Sequence, residues 1–263
     1  MKESDAAFVH IYTDPPALYG SAASLVASLA RSAVESKGRF SVALAGGNTP
    51  RGLYRILASD YRLRLPWDRI HLFWGDERFV PAGNSLSNYR MAKEELLDGI
   101  EIPEANIHSI RTDFADPVAA ALAYERDLRL FFASAARPSF DLILLGMGDD
   151  GHIASLFPGT PALSERERWV IAVRAKTEPP NRISLTLPVL NGAHQIMVLV
   201  TGKKKNAALQ QALSHNDIGD PLLPASLLRP AGELHWLLDR EAAGEAGPAW
   251  DMGAKSQVPD WES

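Results

Sequence analysis

Short apolar runs recur along the chain, separated by longer stretches with helical patterning. The runs are rich in aliphatic and β-branched residues, and several are apolar throughout instead of alternating apolar and polar positions. Such uninterrupted runs are typical of strands in a mainly parallel sheet that helices cover on both faces. The pattern therefore predicts an α/β fold, a mainly parallel open sheet in a Rossmann-like layered α/β/α arrangement. The predicted strands are Phe40–Ala45, Ile70–Trp74, Phe140–Gly146, Trp169–Arg174, Gln195–Thr201 and Leu234–Leu238.

The stretches between these runs predict helices. Asp14 precedes two prolines, so it is placed to cap the first turn of the first helix. The predicted helices are Ala17–Ser36, Pro50–Ala58, Ser87–Leu97, Pro117–Ala135, Lys203–Leu213 and Ala225–Leu228. No internal repeat or linker is evident, which favours a single α/β domain over residues 1–242. Residues 243–263 contain Gly and Pro but few aliphatic residues, and this predicts an irregular C-terminal tail.

Composition narrows the classes of function. With 46% apolar and 22% charged residues, the 263-residue chain has the composition of an ordinary globular protein. Its 27 basic and 32 acidic residues give a net charge of −5, so we expect no nucleic-acid partner and only a local anion site. The absence of cysteine excludes disulfides, thiol nucleophiles and thiolate metal sites. No secretory signal or membrane-spanning run is evident, so we predict a cytoplasmic monomer or small homo-oligomer without membrane contact.

In open parallel sheets, ligands bind beyond the carboxyl ends of the strands. The first predicted strand ends in the sequence Gly46-Gly47-Asn48-Thr49-Pro50. Glycines let backbone N–H groups approach an anion, a following helix N-terminus adds favourable polarity, and Asn48 and Thr49 supply donors. An anion cradle and a plain turn between strand and helix are both compatible with this pattern. It matches neither the P-loop nor the GxGxxG fingerprint, which disfavours nucleotide binding.

The second predicted strand runs into Asp76-Glu77-Arg78. Three ionisable residues directly after an apolar strand are costly to bury unpaired, so we expect them to face solvent or a polar pocket. A solvated loop with internal ion pairs is the alternative interpretation. The guanidinium of Arg78 suits a phosphate or a developing oxyanion.

The third predicted strand ends in a glycine-rich segment that presents Asp149, Asp150 and His152. His152 is the best general-base candidate among the histidines, because imidazole moves protons near neutral pH and a neighbouring carboxylate can fix its tautomer. A structural or solvated histidine is the alternative. A metal site built from these three residues with Asp76 or Glu77 is a further alternative, although the chain has no paired-histidine motif such as HExxH.

Basic residues appear at further strand ends. Arg182 precedes the segment Ile183–Leu187, and the predicted strand Gln195–Thr201 is followed by the lysines Lys203–Lys205 at a helix start. Cations at a helix N-terminus oppose the helix dipole, so an anionic ligand there would relieve a local conflict. A solvated lysine cluster is the alternative. Taken together, the glycine cradle, cations, carboxylates and single histidine indicate a sugar-phosphate site.

Several motifs, in order along the chain, resemble the 6-phosphogluconolactonase family. They are Leu44-Ala45-Gly46-Gly47-Asn48-Thr49-Pro50, Trp74-Gly75-Asp76-Glu77-Arg78, the run from Gly146 to Pro158, Arg182-Ile183-Ser184-Leu185-Thr186, Thr201-Gly202-Lys203-Lys204-Lys205 and Pro224-Ala225-Ser226-Leu227-Leu228. The resemblance covers residues from about 10 to 240. It implies hydrolysis of 6-phospho-D-glucono-1,5-lactone to 6-phospho-D-gluconate, in the oxidative pentose phosphate pathway, without a cofactor or metal.

The related glucosamine-6-phosphate deaminases are the nearest alternative. They typically carry Glu five residues after the histidine, where this chain has Phe157. They also typically have the segment Asp-Glu-Tyr where this chain has Asp76-Glu77-Arg78. Both departures favour the lactonase. At the Gly-x-x-Lys element, comparison with the family points to Lys205 among three adjacent lysines.

The resemblance and the chemistry of lactone hydrolysis assign roles to these residues. His152 is expected to activate water and then protonate the ring oxygen, Asp150 to orient the imidazole or its loop, and Arg78 to stabilise the oxyanion or bind substrate. Asp76 is expected to bind substrate. The residues expected to hold the phosphate and orient the lactone are Gly46, Gly47, Asn48, Thr49, Arg182 and Lys205. A noncatalytic sugar-phosphate-binding regulator and a metal-dependent hydrolase remain alternatives.

Overall fold

The computed structural model of the protein describes residues 7–133, 137–214 and 223–244. In this part of the chain, seven parallel strands form a central sheet with the order β1-β10-β9-β6-β2-β3-β5. The strands are β1 (Ala7–Tyr12), β2 (Phe40–Leu44), β3 (Ile70–Trp74), β5 (Ile107–His108), β6 (Leu142–Gly146), β9 (Gln195–Val200) and β10 (Glu233–Asp239). Every residue of β2 is buried, and because successive side chains point to opposite faces, both faces of the sheet are covered there. The predicted α/β fold with a mainly parallel sheet is confirmed.

A second, antiparallel sheet joins β4 (Asp76–Arg78), β8 (Asn181–Leu185) and β7 (Val170–Arg174) in that order. The predicted strand Trp169–Arg174 therefore forms, but it lies outside the central sheet. The link from β7 to β8 is short, and parallel neighbours need a crossover of about a dozen residues or more. Antiparallel pairing is what this short link permits.

The predicted helices form with shifted ends. The first helix, α1 (Pro15–Lys37), is capped as expected, because Oδ1 of Asp14 accepts a hydrogen bond from the backbone N–H of Ala17 at 2.9 Å. The others that match a prediction are α2 (Arg51–Ser59), α3 (Asn88–Glu95), α4 (Pro117–Phe131) and α6 (Asn206–Leu213). Two short helices, α5 (Leu187–Leu190) and α7 (Arg240–Ala243), were not predicted.

Two of the predicted helices differ from the structure. Lys203–Lys205 forms a 3₁₀ turn ahead of α6, and the predicted helix Ala225–Leu228 is a 3₁₀ turn at Pro224–Leu227. Ala243 ends α7, and residues 245–263 of the predicted C-terminal tail lie outside the described residues. The single-domain boundary at residue 242 stays a prediction.

The parallel direction of the central strands places their polar carboxyl ends along one edge of the sheet. A continuous hydrophobic core contains residues from both sheets, including Phe40, Phe73 and Trp236 of the central sheet and Ile171 and Ile183 of the antiparallel sheet. Because the central strands are parallel, the segments after β2, β3, β6 and β9 all emerge at the carboxyl edge of the sheet. Among the described residues, no helix has both the length and the apolar character needed to cross a membrane.

Candidate active site

A cavity of about 370 Å³ opens at the carboxyl edge of the central sheet. Its walls come from the segments that follow β2, β3, β6 and β9 and from the small antiparallel sheet. Nine of the ten residues predicted for the site line it: Gly46, Gly47, Asn48, Thr49, Asp76, Arg78, His152, Arg182 and Lys205. The tenth, Asp150, reaches the cavity through its contact with His152. The fold therefore gathers every predicted site residue in one place.

The glycine segment after β2 packs closely against α3. A Cβ atom on Gly46 would lie 2.1 Å from Oδ1 of Asn88, a distance that no side chain can tolerate. The next residues lead into α2, and Oγ1 of Thr49 lies 3.3 Å from Oγ1 of Thr201 at the end of β9. The glycine at position 46 is thus required by close approach, and the segment presents Thr49 to the cavity.

A tight turn after β6 fixes His152 beside Asp150. Nδ1 of His152 lies 2.6 Å from Oδ1 of Asp150, and the backbone N–H of His152 donates to the same oxygen at 3.2 Å. The backbone N–H of Gly148 donates to the carbonyl of His152 at 2.8 Å. A Cβ atom on Gly148 would lie 2.0 Å from Nδ1 of His152, so only glycine allows the ring to occupy this position.

The charge of Asp150 fixes the tautomer of the neutral His152 ring. Partial burial opposes the charged form of Asp150, but its electrostatic interaction and hydrogen bonds with His152 outweigh burial and hold the pKa of Asp150 below its ordinary value. An ionised carboxylate is only an acceptor, so Nδ1 of His152 carries the proton that the pair shares. Nε2 of the neutral ring is then left as a proton acceptor.

Asp76 is held at the cavity wall by two residues that the sequence analysis did not single out. Oγ of Ser155 donates to Oδ2 of Asp76 at 2.7 Å, and Nδ2 of Asn88 donates to Oδ1 at 3.3 Å and to the Asp76 carbonyl at 2.9 Å. Ser155 is fully buried, and its backbone N–H donates to Oγ of Ser184 on β8. Ser155 belongs to the motif from Gly146 to Pro158 and Asn88 to the predicted helix Ser87–Leu97, but their contact with Asp76 depends on tertiary packing.

The two predicted arginines lie side by side. Arg78 on β4 is directly opposite Arg182 on β8, which brings their Cβ atoms to within about 5 Å in antiparallel pairing. Nε of Arg182 donates to the carbonyl of Pro179 at 2.8 Å, and Nη1 of Arg78 donates to the carbonyl of Leu86 at 2.7 Å. Burial and the adjacent Arg78 charge lower the pKa of Arg182. Two neighbouring cations at a half-enclosed wall favour binding of an anion.

Glu77 does not face solvent or the cavity, which corrects the expectation for the Asp76-Glu77-Arg78 segment. Its side chain is 1% exposed, and burial raises its pKa to about 7. The carboxyl group accepts backbone N–H bonds from Arg78 and Asn88 at 2.7 Å and from Tyr89 at 2.8 Å. Oγ of Ser87 donates to it at 3.0 Å. Glu77 therefore joins β4 to the start of α3.

Of the three adjacent lysines, Lys205 is the one that lines the cavity, whereas Lys203 and Lys204 are exposed. Its Nζ atom lies 2.6 Å from Oδ1 of Asp149, which belongs to the turn after β6. The family comparison in the sequence had favoured Lys205 at this position, and the geometry agrees with that choice.

The carboxylates considered for a metal site are dispersed among other partners. Asp149 pairs with Lys205, Asp150 with His152, and Glu77 with the backbone at α3. Within the described parts of the chain, no group of three or more His, Asp or Glu side chains is placed to hold a metal ion.

The fold and the cavity define an α/β protein with a cationic cleft at the carboxyl edge of its sheet, furnished with a histidine–aspartate pair. A family model described as glucosamine-6-phosphate isomerases/6-phosphogluconolactonase matches residues 13–236. The chain therefore belongs to the glucosamine-6-phosphate isomerase/6-phosphogluconolactonase family.

Individual relatives agree with this membership. A 6-phosphogluconolactonase of Synechocystis sp. is 46% identical over 219 residues, which cover 82% of this chain and 88% of the relative. One of Nostoc sp. is 42% identical over 239 residues, which cover 90% and 97%. The solved structure of 6-phosphogluconolactonase from Trypanosoma cruzi superposes with a TM-score of 0.83 at 29% identity, covering 93% of this chain and 98% of that one.

Proposed function

We propose that His152 is the general base of a lactone hydrolase that converts 6-phospho-D-glucono-1,5-lactone to 6-phospho-D-gluconate, in the oxidative pentose phosphate pathway. The hydrolase activity follows from relatives that share up to 46% identity over most of the chain. The observation that carries the mechanism is the His152–Asp150 pair, 2.6 Å apart, at a cavity lined with cations.

The proposed reaction needs no covalent intermediate. Nε2 of His152 accepts a proton from water as the water oxygen attacks the lactone carbonyl carbon, and a tetrahedral oxyanion forms. The bond from that carbon to the ring oxygen then breaks, and the imidazolium returns its proton to the ring oxygen. Asp150 holds the ring in the required tautomer and stabilises the imidazolium. We assign Arg78 to the oxyanion or to substrate binding, because its guanidinium lines the cavity beside Arg182.

The phosphate is assigned to donors from three other segments of the cavity wall. Thr49 follows the glycine segment, Lys205 lies in the 3₁₀ turn after β9, and Arg182 lies on β8, so three separate elements converge on one ligand. The two carboxylate oxygens of Asp76 accept hydrogen bonds from Ser155 and Asn88. We assign Asp76 to binding of the sugar hydroxyls. The residues proposed to bind the phosphate and orient the lactone are Gly46, Gly47, Asn48, Thr49, Arg182 and Lys205.

The proposal extends to partners and location. The sugar-phosphate lactone is the small-molecule partner, and no cofactor or metal is required by the chemistry described. A net charge of −5 supports the absence of a nucleic-acid partner. We further propose that the protein is a cytoplasmic monomer or small homo-oligomer.

The substitution His152→Ala tests this function. Turnover of freshly prepared 6-phosphogluconolactone, corrected for spontaneous hydrolysis, is expected to fall by about 10²-fold or more, the usual effect of losing a general base. The variant is expected to keep its fold and its affinity for 6-phosphogluconate, because the phosphate is held by other residues. Circular dichroism and calorimetric titration measure these two properties.

His194→Ala is the matched control. His194 is exposed and precedes β9, at the amino edge of the sheet and away from the cavity. Its loss is expected to leave turnover unchanged. A folded His152→Ala protein with turnover near that of the wild type would remove His152 from the mechanism.

A further inference from the structure

Lys205 already has an anionic partner within the protein. Its Nζ atom is 2.6 Å from Oδ1 of Asp149, and the two side chains are 23% and 60% exposed. Asp149 belongs to the turn after β6, and Lys205 follows β9, the neighbouring strand in the sheet. The ion pair therefore bridges two adjacent strand ends where the cavity meets solvent.

The arginines of the cavity differ from Lys205 in their partners. Arg78 donates to a backbone carbonyl, and Arg182 donates to a carbonyl and to the hydroxyl of Thr177. Among the described residues neither guanidinium forms an ion pair with a carboxylate, although the charges of Asp76 and Glu77 act on Arg182 from a longer distance. Both guanidinium charges are therefore more available to an anion than the Lys205 charge. The Lys205 charge, in contrast, is shared with a carboxylate. A phosphate that binds Lys205 must weaken or break this ion pair.

We propose that Asp149 competes with the phosphate of the ligand for Lys205 and so sets the affinity of the site for both lactone and product. The inference rests on the proposed assignment of Lys205 to the phosphate. Asp149 has no place in the bond-making steps, and it acts on the ligand through Lys205. It is therefore a residue that tunes binding.

The size of the effect follows from the exposure of the pair. An exposed ion pair contributes little because water screens it, and its full removal changes an equilibrium by about fivefold at most. Asp149 stays close to the bound phosphate and also repels it, which acts in the same direction. The phosphate forms and breaks no bond in the reaction, so weaker binding of the phosphate affects the ground state and the transition state equally. Asp149 should then raise KM without changing kcat.

The substitution Asp149→Asn tests the proposal in the full-length enzyme. The amide keeps the size of the side chain and removes its charge. We expect KM for the lactone and the Kd for 6-phosphogluconate, measured by calorimetric titration, to fall about two- to fivefold, while kcat stays within about twofold. Unchanged KM and Kd would overturn the proposal.

Asp98→Asn is the matched control, because Asp98 forms an exposed ion pair with Lys93 outside the cavity. It removes the same charge from a pair of the same type. We expect no change in KM or Kd. An equal fall in both variants would show that net charge alone accounts for the effect, and this would also overturn the proposal.

Lys205→Met separates this inference from the proposed function. If Lys205 binds the phosphate, this variant raises KM and the product Kd by about tenfold or more. In the Lys205→Met background, Asp149→Asn is then expected to have little further effect. A full effect of Asp149→Asn in that background would overturn the inference alone. No effect of Lys205→Met on either constant would overturn the phosphate assignment on which the inference rests.

Discussion

Nδ1 of His152 lies 2.6 Å from Oδ1 of Asp150, two residues earlier in the same turn. The short separation in sequence means that one turn brings the pair together, and Gly148 is the residue that leaves room for the imidazole. Because the pKa of Asp150 is held low, the carboxylate stays charged at neutral pH and keeps the proton on Nδ1.

Asp150→Asn is predicted to lower kcat by about tenfold or more while leaving KM nearly unchanged. The amide can donate to Nδ1 as well as accept from it, so the ring also populates the tautomer that carries its proton on Nε2, which cannot accept a proton from water. Steady-state assays with fresh lactone measure the effect. Asp113→Asn is the control, because it removes a carboxylate from an exposed ion pair with Arg111. It should leave kcat and KM unchanged. A wild-type kcat in Asp150→Asn would show that the pair does not set the tautomer.

Glu77 is predicted to make stability depend on pH. Its pKa is about 7 in the folded protein and near 4.5 when exposed, so between these values the folded state binds more protons than the unfolded state. The contribution of Glu77 to the free energy of unfolding is therefore full below pH 4.5 and is lost as the pH rises through about 7. Urea unfolding of the wild type and of Glu77→Gln at pH 5 and pH 7.5 measures this contribution to the free energy of unfolding. The wild type should lose more stability than the variant across this interval, and parallel losses would contradict the prediction.

Chelation is predicted to leave turnover intact. The carboxylates near the cavity already have partners: Lys205, His152, backbone N–H groups or, for Asp76, the side chains of Ser155 and Asn88. Exhaustive treatment with a chelator followed by gel filtration should give the same kcat as the untreated enzyme. A loss of activity that a divalent cation specifically restores would favour the metal-dependent alternative.

The phosphate of the substrate is predicted to supply much of the binding energy. Charge-assisted contacts from Arg182 and Lys205 are among the stronger polar interactions available, so glucono-δ-lactone without phosphate should have a kcat/KM lower by about 10²-fold or more. Competition assays at matched pH, with spontaneous hydrolysis subtracted, provide the comparison. Equal values for the two lactones would refute the assignment of the basic strand ends.

Glucosamine 6-phosphate is predicted to yield no ammonia. The ring of Phe157 lies 4.6 Å from the ring of His152, at the position where the related deaminases typically carry a glutamate. An apolar ring cannot exchange protons with a substrate, and Arg78 replaces the tyrosine of those enzymes. A coupled ammonia assay over extended incubation tests this. Catalytic release of ammonia without lactonase activity would reverse the assignment.

The features that the sequence determined are local ones. Uninterrupted apolar runs predicted the central strands, because a strand buried on both faces needs apolar residues at every position. Polar and glycine-rich segments directly after those runs predicted the cavity, because parallel strands bring their carboxyl ends to one edge. The His152–Asp150 contact is also local, since both residues belong to one turn.

Tertiary structure decided the features that depend on which segments meet. The edge strands Ala7–Tyr12 and Ile107–His108 were not predicted, since His10 interrupts the apolar residues of the first and the second has only two residues. The burial of Glu77 arises because α3 begins over it and supplies N–H donors, and its sequence context is that of a charged loop. The Asp149–Lys205 pair joins the ends of two strands that are far apart in the chain. The chemistry of each side chain and the periodicity of each strand can be read from the local sequence. The partner of each charged group is decided only when the sheet assembles, because long-range packing then selects one contact among many.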